Sequence, residues 1–347
     1  MKLTFRWYGK TDSIPLVYIK QIPQMTGVVT AVYDVPVGEV WPLQNLIDLK
    51  QECQKHGLNM EVIESVPVHD EIKLGGERKD EYIDNYIQTI KNLGKIGVKV
   101  ICYNFMPVFD WLRTDLDYIN PDGSSSLLYD HQQILKLDPK KLSLPGWDES
   151  YTSDQMAELI EKYQKLGRKK LFENLVYFLN RIMPVCQQVE IKMAIHPDDP
   201  PWEIFGLPRI ISTEDDLDAL FESVPSKNNT SAFCTGSFGA NPKNDVVKMI
   251  DKFSSQNRIV FAHLRNIKFD GEKSFHETAH ISKEGSLDMF EIVSALVKNG
   301  FDGYVRPDHG RTIFGEKAKP GYGLYDRALG ATYLLGLFEA SEKNLKK

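Results

Sequence analysis

Val305-Arg306-Pro307-Asp308-His309-Gly310-Arg311, close to the C-terminal end of the chain, follows a short run from Gly303 and then turns polar. A proline offers no amide hydrogen to a sheet ladder, so pairing stops there. The polar and flexible residues after it are ones a core would exclude. The stretch therefore reads as a buried strand that delivers functional groups at its tip. Three earlier stretches have the same form: Lys192-Met-Ala-Ile-His196-Pro197, Thr230-Ser-Ala-Phe-Cys234-Thr-Gly236 and Ile259-Val-Phe-Ala-His263-Leu-Arg265-Asn266. Each is an apolar run ending in a potential metal ligand, and helical patterns separate one from the next. His196, Cys234, His263 and Asp308 thus offer two imidazoles, a thiol and a carboxylate from four successive strand ends.

Working outward, similar buried-looking runs occur at Leu3 to Trp7, Gly27 to Tyr33, Met60 to Ile63 and Val98 to Tyr103. Apolar, β-branched runs without clean alternation suit strands covered on both faces. Helical patterns fall at Ser13 to Ile22, Leu43 to Lys55, Asp80 to Leu93, Ser153 to Gln187 with a break near Gly167, Glu214 to Ser223, Asp245 to Phe253, Leu287 to Lys298 and Tyr325 to Phe338. Eight strands, each followed by a helix, predict an α/β fold: a parallel (β/α)8 TIM barrel with right-handed crossovers. A nine-stranded open sheet is the competing arrangement. In such a barrel the active site lies at the carboxyl ends of the strands, where the four ligands fall on strands five to eight. Residues 1–347 are read as one barrel domain with long βα-loop insertions at about 106–152 and 267–285, both capping that face. The first carries Pro107, Pro121, Pro139 and Pro145 with Phe109, Trp111, Tyr118 and Trp147 interleaved, a composition that predicts an ordered cap.

The chain of 347 residues is 42% hydrophobic and 26% charged, ordinary values for a globular protein. Its net charge of -6 gives no general attraction to nucleic acid or anionic membrane. Met1-Lys-Leu-Thr-Phe-Arg-Trp-Tyr-Gly-Lys10 lacks the apolar core of a signal peptide, and no run approaches the roughly 18–20 apolar residues of a membrane span. The expected location is the cytoplasm. Cys53, Cys102, Cys186 and Cys234 show no CxxC spacing, which predicts free thiols in a reducing compartment. The first three read as small buried hydrophobes. Only Cys234 stands at a strand end among flexible residues.

A lone strand-end histidine is usually a hydrogen-bonded structural group, but four ligand types at consecutive ends point to one ion. A thiolate with two imidazoles suits Zn2+ or Fe2+, and the carboxylate also admits Mn2+. Spare coordination positions would make the site catalytic. His276-Glu277-Thr278-Ala279-His280 has the HExxH spacing of zinc proteases. That motif needs a helix presenting both histidines on one face, and the flanking sequence lacks the periodicity to dock one. The segment reads as a lid, with His276 and His280 offered to a polar ligand. Tyr322 and Tyr325 are candidate acids or hydroxyl donors, and His309, next to Asp308, is the candidate base. Arg265 and Arg311 are placed to hold a carboxylate bidentately. Asn104, after the fourth strand, is a partner for a substrate hydroxyl.

Phe5-Arg-Trp-Tyr-Gly9, Glu64-Ser-Val-Pro-Val-His69, Cys102-Tyr-Asn-Phe-Met-Pro107, His196-Pro-Asp-Asp-Pro-Pro201, Cys234-Thr-Gly-Ser237, His263-Leu-Arg-Asn266, Phe275-His-Glu-Thr-Ala-His280 and Arg306-Pro-Asp-His-Gly-Arg311 together resemble mannonate dehydratases of the UxuA type. The resemblance covers nearly the whole chain. It implies a xylose-isomerase-like barrel and dehydration of D-mannonate to 2-dehydro-3-deoxy-D-gluconate in hexuronate catabolism. It also implies Mn2+ or Fe2+ in preference to Zn2+, a sugar acid as the partner with a homodimer admissible, and Arg6 and Trp7 in the substrate-binding set. Such an elimination needs a base for the C2 proton and an acid for the departing C3 hydroxyl. His309 and one of Tyr322 or Tyr325 fill these roles in either order, with Arg311 counted among the catalytic group. A metal-dependent sugar isomerase or epimerase of the same barrel, or a non-catalytic sugar-acid binding protein, would share the ligands. A DNA-repair endonuclease would want a basic groove that an acidic chain does not supply.

Overall fold

The computed structural model describes residues 1–137 and 153–346; the rest of the first insertion, with Pro139, Pro145 and Trp147, lies outside the described residues. The strands are β1 (Lys2–Arg6), β2 (Gly27–Thr30), β3 (Asn59–Glu64), β4 (Val100–Tyr103), β5 (Asp115–Ile119), β6 (Ser125–Asp130), β7 (Lys192–Ile195), β8 (Asn229–Cys234), β9 (Ile259–Leu264), β10 (Ile267–Gly271), β11 (Ser274–Glu277) and β12 (Tyr304–Pro307). Eight of them close a parallel barrel in the order β1-β12-β9-β8-β7-β4-β3-β2. Closure removes the open-sheet alternative.

The helices are α1 (Leu16–Gln21), α2 (Leu43–Lys55), α3 (Asp70–Leu74), α4 (Lys79–Lys95), α5 (His131–Ile134), α6 (Ser153–Gln188), α7 (Glu214–Ser223), α8 (Thr235–Gly239), α9 (Val246–Ser255), α10 (Met289–Lys298) and α11 (Tyr325–Leu345). Their apolar spacing explains their docking: α9 buries Val246, Met249, Ile250 and Phe253 on one stripe. Its N-cap Asp245 accepts from the Lys248 amide. α7 opens with a capping box between Thr213 and Asp216. Inside α6, Gly167 takes φ 72° and ψ 170°, a break in the helix where the sequence predicted one. No helix among the described residues is long and apolar enough to cross a membrane.

Below the strand tips, Val29, Val62, Val100, Ala194, Ala232, Val260 and Phe261 pack together as the plug of the barrel. A larger apolar shell fills the space between strands and helices. The site rests on this packed floor.

The two insertions are not separate lids. β5 and β6 from the first pair with β10 and β11 from the second in one antiparallel sheet, ordered β10-β11-β6-β5. Phe275 stands opposite Tyr129, and a bridge from Ser125 to Thr312 ties this cap to the segment after β12. The HExxH stretch starts on β11, so period-two alternation sends His276 and Glu277 to opposite faces. Glu277 is fully buried, whereas His276 turns outward to Asp270 at 2.7 Å.

A Cβ at Gly27 would meet the Asn59 carbonyl oxygen at 2.5 Å, where the β2–β3 register is irregular. The obstacle is backbone, so no rotamer relieves it. Gly27→Ala is expected to destabilise the protein by about 1–3 kcal/mol, seen as a lower denaturation midpoint at unchanged slope. An unchanged midpoint would mean that the two strands separate freely at this point.

Candidate active site

Register brings the candidate ligands together. Cys234 on β8 is level with His263 on β9, and His263 is level with Arg306 on β12. Ligand atoms of His196, Cys234 and His263 all lie within 4.8 Å of one another. An overlapping group of Glu64, Cys102 and His263 meets the same limit. Asp308, two residues beyond Arg306, adjoins the first group: its Oδ2 is 3.5 Å from Cys234 Sγ and 3.1 Å from Arg265 Nε. Its Oδ1 pairs with Arg306 Nη1 at 2.7 Å.

These residues fit a divalent ion. His263 Nε2 and Glu64 Oε2 are buried without a hydrogen-bond partner among the described residues, a cost that an ion would remove. His196 Nδ1–H donates to the Pro197 carbonyl at 2.7 Å, which leaves Nε2 as the nitrogen that can face an ion once its own proton is lost, the usual way a ligating imidazole is oriented. Burial and the Arg306 guanidinium hold His263 well below the ordinary histidine range, so its ring is neutral. Burial also opposes charge on His196, but Cys234, Glu64 and Asp308 outweigh it and raise that ring to about 9.

Beside the ion site runs a chain of hydrogen bonds. Glu277 Oε1 faces His309 Nδ1 at 3.0 Å, and His309 Nε2 faces the Tyr322 hydroxyl at 2.9 Å. Burial opposes charge on Glu277, yet Arg265, His309 and Arg113 lower it to about 2, so it is a carboxylate and accepts only. The Nδ1 proton therefore belongs between His309 and Glu277, and Nε2 accepts from the phenol. Burial pushes Tyr322 well above the ordinary tyrosine range, so the hydroxyl keeps its proton at neutral pH.

A buried ion cluster supports both halves. Arg113 pairs with Asp199 at 2.8 Å and with Glu277 at 2.7 Å. Arg265 pairs with Glu277, with Asp199 at 2.7 Å and with Asp308. Its Nε also reaches Cys234 Sγ at 3.5 Å. Gly236 leaves room for that guanidinium, since a Cβ there would lie 2.3 Å from Arg265 Nε.

A cavity of about 210 Å³ opens onto these groups, below the roughly 300–1,000 Å³ of drug-sized pockets and suited to a compact ligand. Of the residues singled out from the sequence, Arg6, Asn104, His196, Asp308, His309 and Tyr322 line it. Cys234 and His263 are fully buried and absent from the lining. Arg265 is also buried away from the cavity, as a support and not an open carboxylate clamp. The others point elsewhere. Trp7 packs into the core while its neighbours Arg6 and Tyr8 face the cavity, the alternation of an extended chain. Tyr325 is 46% exposed against Phe314 at the start of α11. Arg311 pairs with Asp122 and Asp326. His280 is buried against Gly330 of α11, and His276 contacts Tyr118 of the cap.

Sequence reasoning passed over Glu277, Asp199, Arg113, Glu64 and Tyr8. Cys102, expected to be inert core, lines the cavity as well, although burial keeps its thiol protonated. The Asp198-Asp199 pair shortly after β7, and the glutamate of the HExxH stretch, were local signals that could have revealed part of this set.

The family model for D-mannonate dehydratase (UxuA) matches residues 1–347. The chain belongs to the mannonate dehydratase family. A mannonate dehydratase of Thermotoga petrophila is 55% identical over 359 residues, covering 100% of this chain and 99% of that protein. The crystal structure of mannonate dehydratase from Streptococcus suis serotype 2 superposes with a TM-score of 0.94 at 47% identity, covering 100% of this chain and 96% of the other. A xylose isomerase-like TIM barrel protein from Mycobacterium smegmatis, solved with magnesium, has a TM-score of 0.56 at 13% identity, a likeness of fold.

For this mannonate dehydratase family member the raised His196 has a measurable consequence. At pH 7 the ion-free ring is protonated, and it must lose that proton to become a ligand. Affinity for Mn2+ is therefore expected to rise with pH, by up to about tenfold per unit below the ring's pKa, with proton release on binding. Titration calorimetry in buffers of different ionisation enthalpy measures both. A pH-independent affinity between about pH 6 and 8 would remove His196 from the ligand set.

Proposed function

We propose that this chain removes water from D-mannonate to give 2-dehydro-3-deoxy-D-gluconate, a step of hexuronate catabolism, with Mn2+ or Fe2+ as its ion. The observation that carries the mechanism is the Glu277–His309–Tyr322 chain at the wall of a cavity beside the His196–Cys234–His263 cluster. It joins an acid–base pair to an ion site in a space sized for a small polar substrate. A divalent ion held by His196, Cys234 and His263, with Asp308 alongside, would supply Lewis-acid stabilisation of the negative charge that develops beside the substrate carboxylate.

The chain's own groups do the rest. Arg6 and Arg306 both line the cavity. Arg306 is already paired with Glu64 and Asp308, whereas Arg6 donates to the Val29 carbonyl and lies over the Tyr8 ring, which leaves it the better anchor for a carboxylate. Asn104 uses its Oδ1 to accept from the Met106 amide, so its amide hydrogens remain for a substrate hydroxyl. His309 Nε2 takes the C2 proton once Tyr322 turns its hydroxyl towards the C3 oxygen. Tyr322 gives that oxygen its proton, and the C3–O bond breaks as water leaves. His309 then returns a proton to the phenolate, restoring both groups, and the C2–C3 enol left behind ketonises to the 2-keto acid as it loses its hydroxyl proton and gains one at C3. Glu277 holds the productive tautomer and balances the imidazolium, the role of the carboxylate in a catalytic triad. Trp111, 5.9 Å from His309, closes the cap side of the cavity.

His309→Asn is expected to lower kcat by at least about 100-fold, the loss typical of a positioned base, while the ion content stays at the wild-type level. Product is followed with a 2-keto-acid colour assay and the ion by elemental analysis. Wild-type kcat with the ion bound would move the base to another residue. Tyr322→Phe is expected to reduce kcat comparably with little change in KM, because the phenol acts on the leaving group and not on ground-state binding. An effect confined to KM would reduce Tyr322 to a substrate-binding group.

A further inference from the structure

Arg327, in the first turn of α11, is fully buried and has no carboxylate within ion-pair distance among the described residues. All three guanidinium nitrogens go to main-chain carbonyls: Nε donates to Gly323 at 2.7 Å, Nη1 to Arg6 at 3.3 Å and Nη2 to Tyr322. The plane lies over the Phe5 ring with its centre at 3.9 Å, and 5.4 Å from the Tyr322 ring. Burial lowers its pKa to about 10, the reverse of the rise that a buried ion pair gives Arg306. A buried cation held by neutral carbonyls and aromatic faces, with no anion paired to it, costs stability, and a leucine would carry no such charge. What the fork accomplishes is geometric. It ties together the backbones of two residues that line the cavity from opposite ends of the chain: Arg6, at the tip of β1, and Tyr322, in the glycine-flanked segment before α11.

We propose that Arg327 is a positioning residue for the elimination, holding the Tyr322 backbone, and so the phenol, in register with His309 and with the Arg6 anchor. The inference rests on the reading of Tyr322 as the proton donor. Gly321 and Gly323 flank Tyr322, and Gly321 has φ 77°; Gly310 N–H donates to the Gly321 carbonyl at 2.9 Å and Tyr322 N–H to the Lys319 carbonyl at 2.8 Å, while the Tyr322 and Gly323 carbonyls go to Arg327. A planar group with donors fanned in three directions is what such a segment requires. Lysine keeps the charge but concentrates its donors on one nitrogen, and it cannot bridge three separated carbonyls.

The test is a double-mutant cycle on the ion-loaded enzyme: wild type, Arg327→Lys, Tyr322→Phe and the double variant, each with kcat, KM, ion content and a kcat–pH profile. Arg327→Lys is expected to retain the ion, whose ligands lie on other elements, and to lose about 10- to 100-fold in kcat, as a displacement of about 1 Å does. In the Tyr322→Phe background the same substitution is expected to cost less than about twofold, because the group it positions is already gone. Losses that multiply in the double variant would overturn the proposal, as would wild-type kcat and pH profile in Arg327→Lys. If Tyr322→Phe alone leaves kcat intact, the reading of Tyr322 fails first, and that result is separate from the behaviour of Arg327. Should Arg327→Lys fail to fold, Phe5→Leu removes the ring beneath the guanidinium without touching the cavity lining. A drop in kcat of a few-fold that vanishes beside Tyr322→Phe supports the proposal, and a drop that persists there, or none at all, overturns it.

Discussion

Arg113, Arg265, Asp199 and Glu277 sit together with almost no access to water, and none of them could be buried alone. Removing one partner from such a cluster leaves an uncompensated charge at a cost of several kcal/mol, whereas the complete set of two cations and two anions is neutral. The members come from different parts of the chain. Arg113 and Glu277 belong to the two insertions that build the cap, while Asp199 and Arg265 follow barrel strands β7 and β9. Cap and barrel therefore cannot part without stranding charge, and they are held in one arrangement.

The same cluster organises the chemistry above it. Arg265 reaches Cys234 and Asp308 on the side of the candidate ion site, and Glu277 reaches His309 on the side of the proposed acid–base pair. One guanidinium thus stands between two groups of side chains with opposite electrostatic surroundings. Around His196, Cys234 and His263, acidic groups are gathered, and they raise His196. Near His309, the carboxylate of Glu277 is kept ionised by two arginines, so it can orient an imidazole without taking its proton.

Strand periodicity decides which member of each neighbouring pair does the work. Arg6 and Tyr8 face the cavity and Trp7 the core; Glu277 turns into the ion cluster and His276 away from it. A shift of one residue would exchange these sets. The backbone ties around Tyr322 matter for the same reason, since no strand pairing fixes that segment.

The sequence by itself carried the barrel, because burial on both faces of a strand is a local property written into each apolar run. It carried the placement of His196, Cys234, His263 and Asp308 too, because a polar group directly after such a run must emerge at a strand tip. It could not say that the two insertions form one sheet, since β6 and β11 meet across more than 140 residues and each depends on the other for its hydrogen bonds. Nor could it choose Tyr322 over Tyr325, or promote Glu277, Asp199 and Arg113 from ordinary charged residues to a buried cluster. Those outcomes depend on which way a side chain points once distant segments have packed, and only the tertiary structure sets that direction.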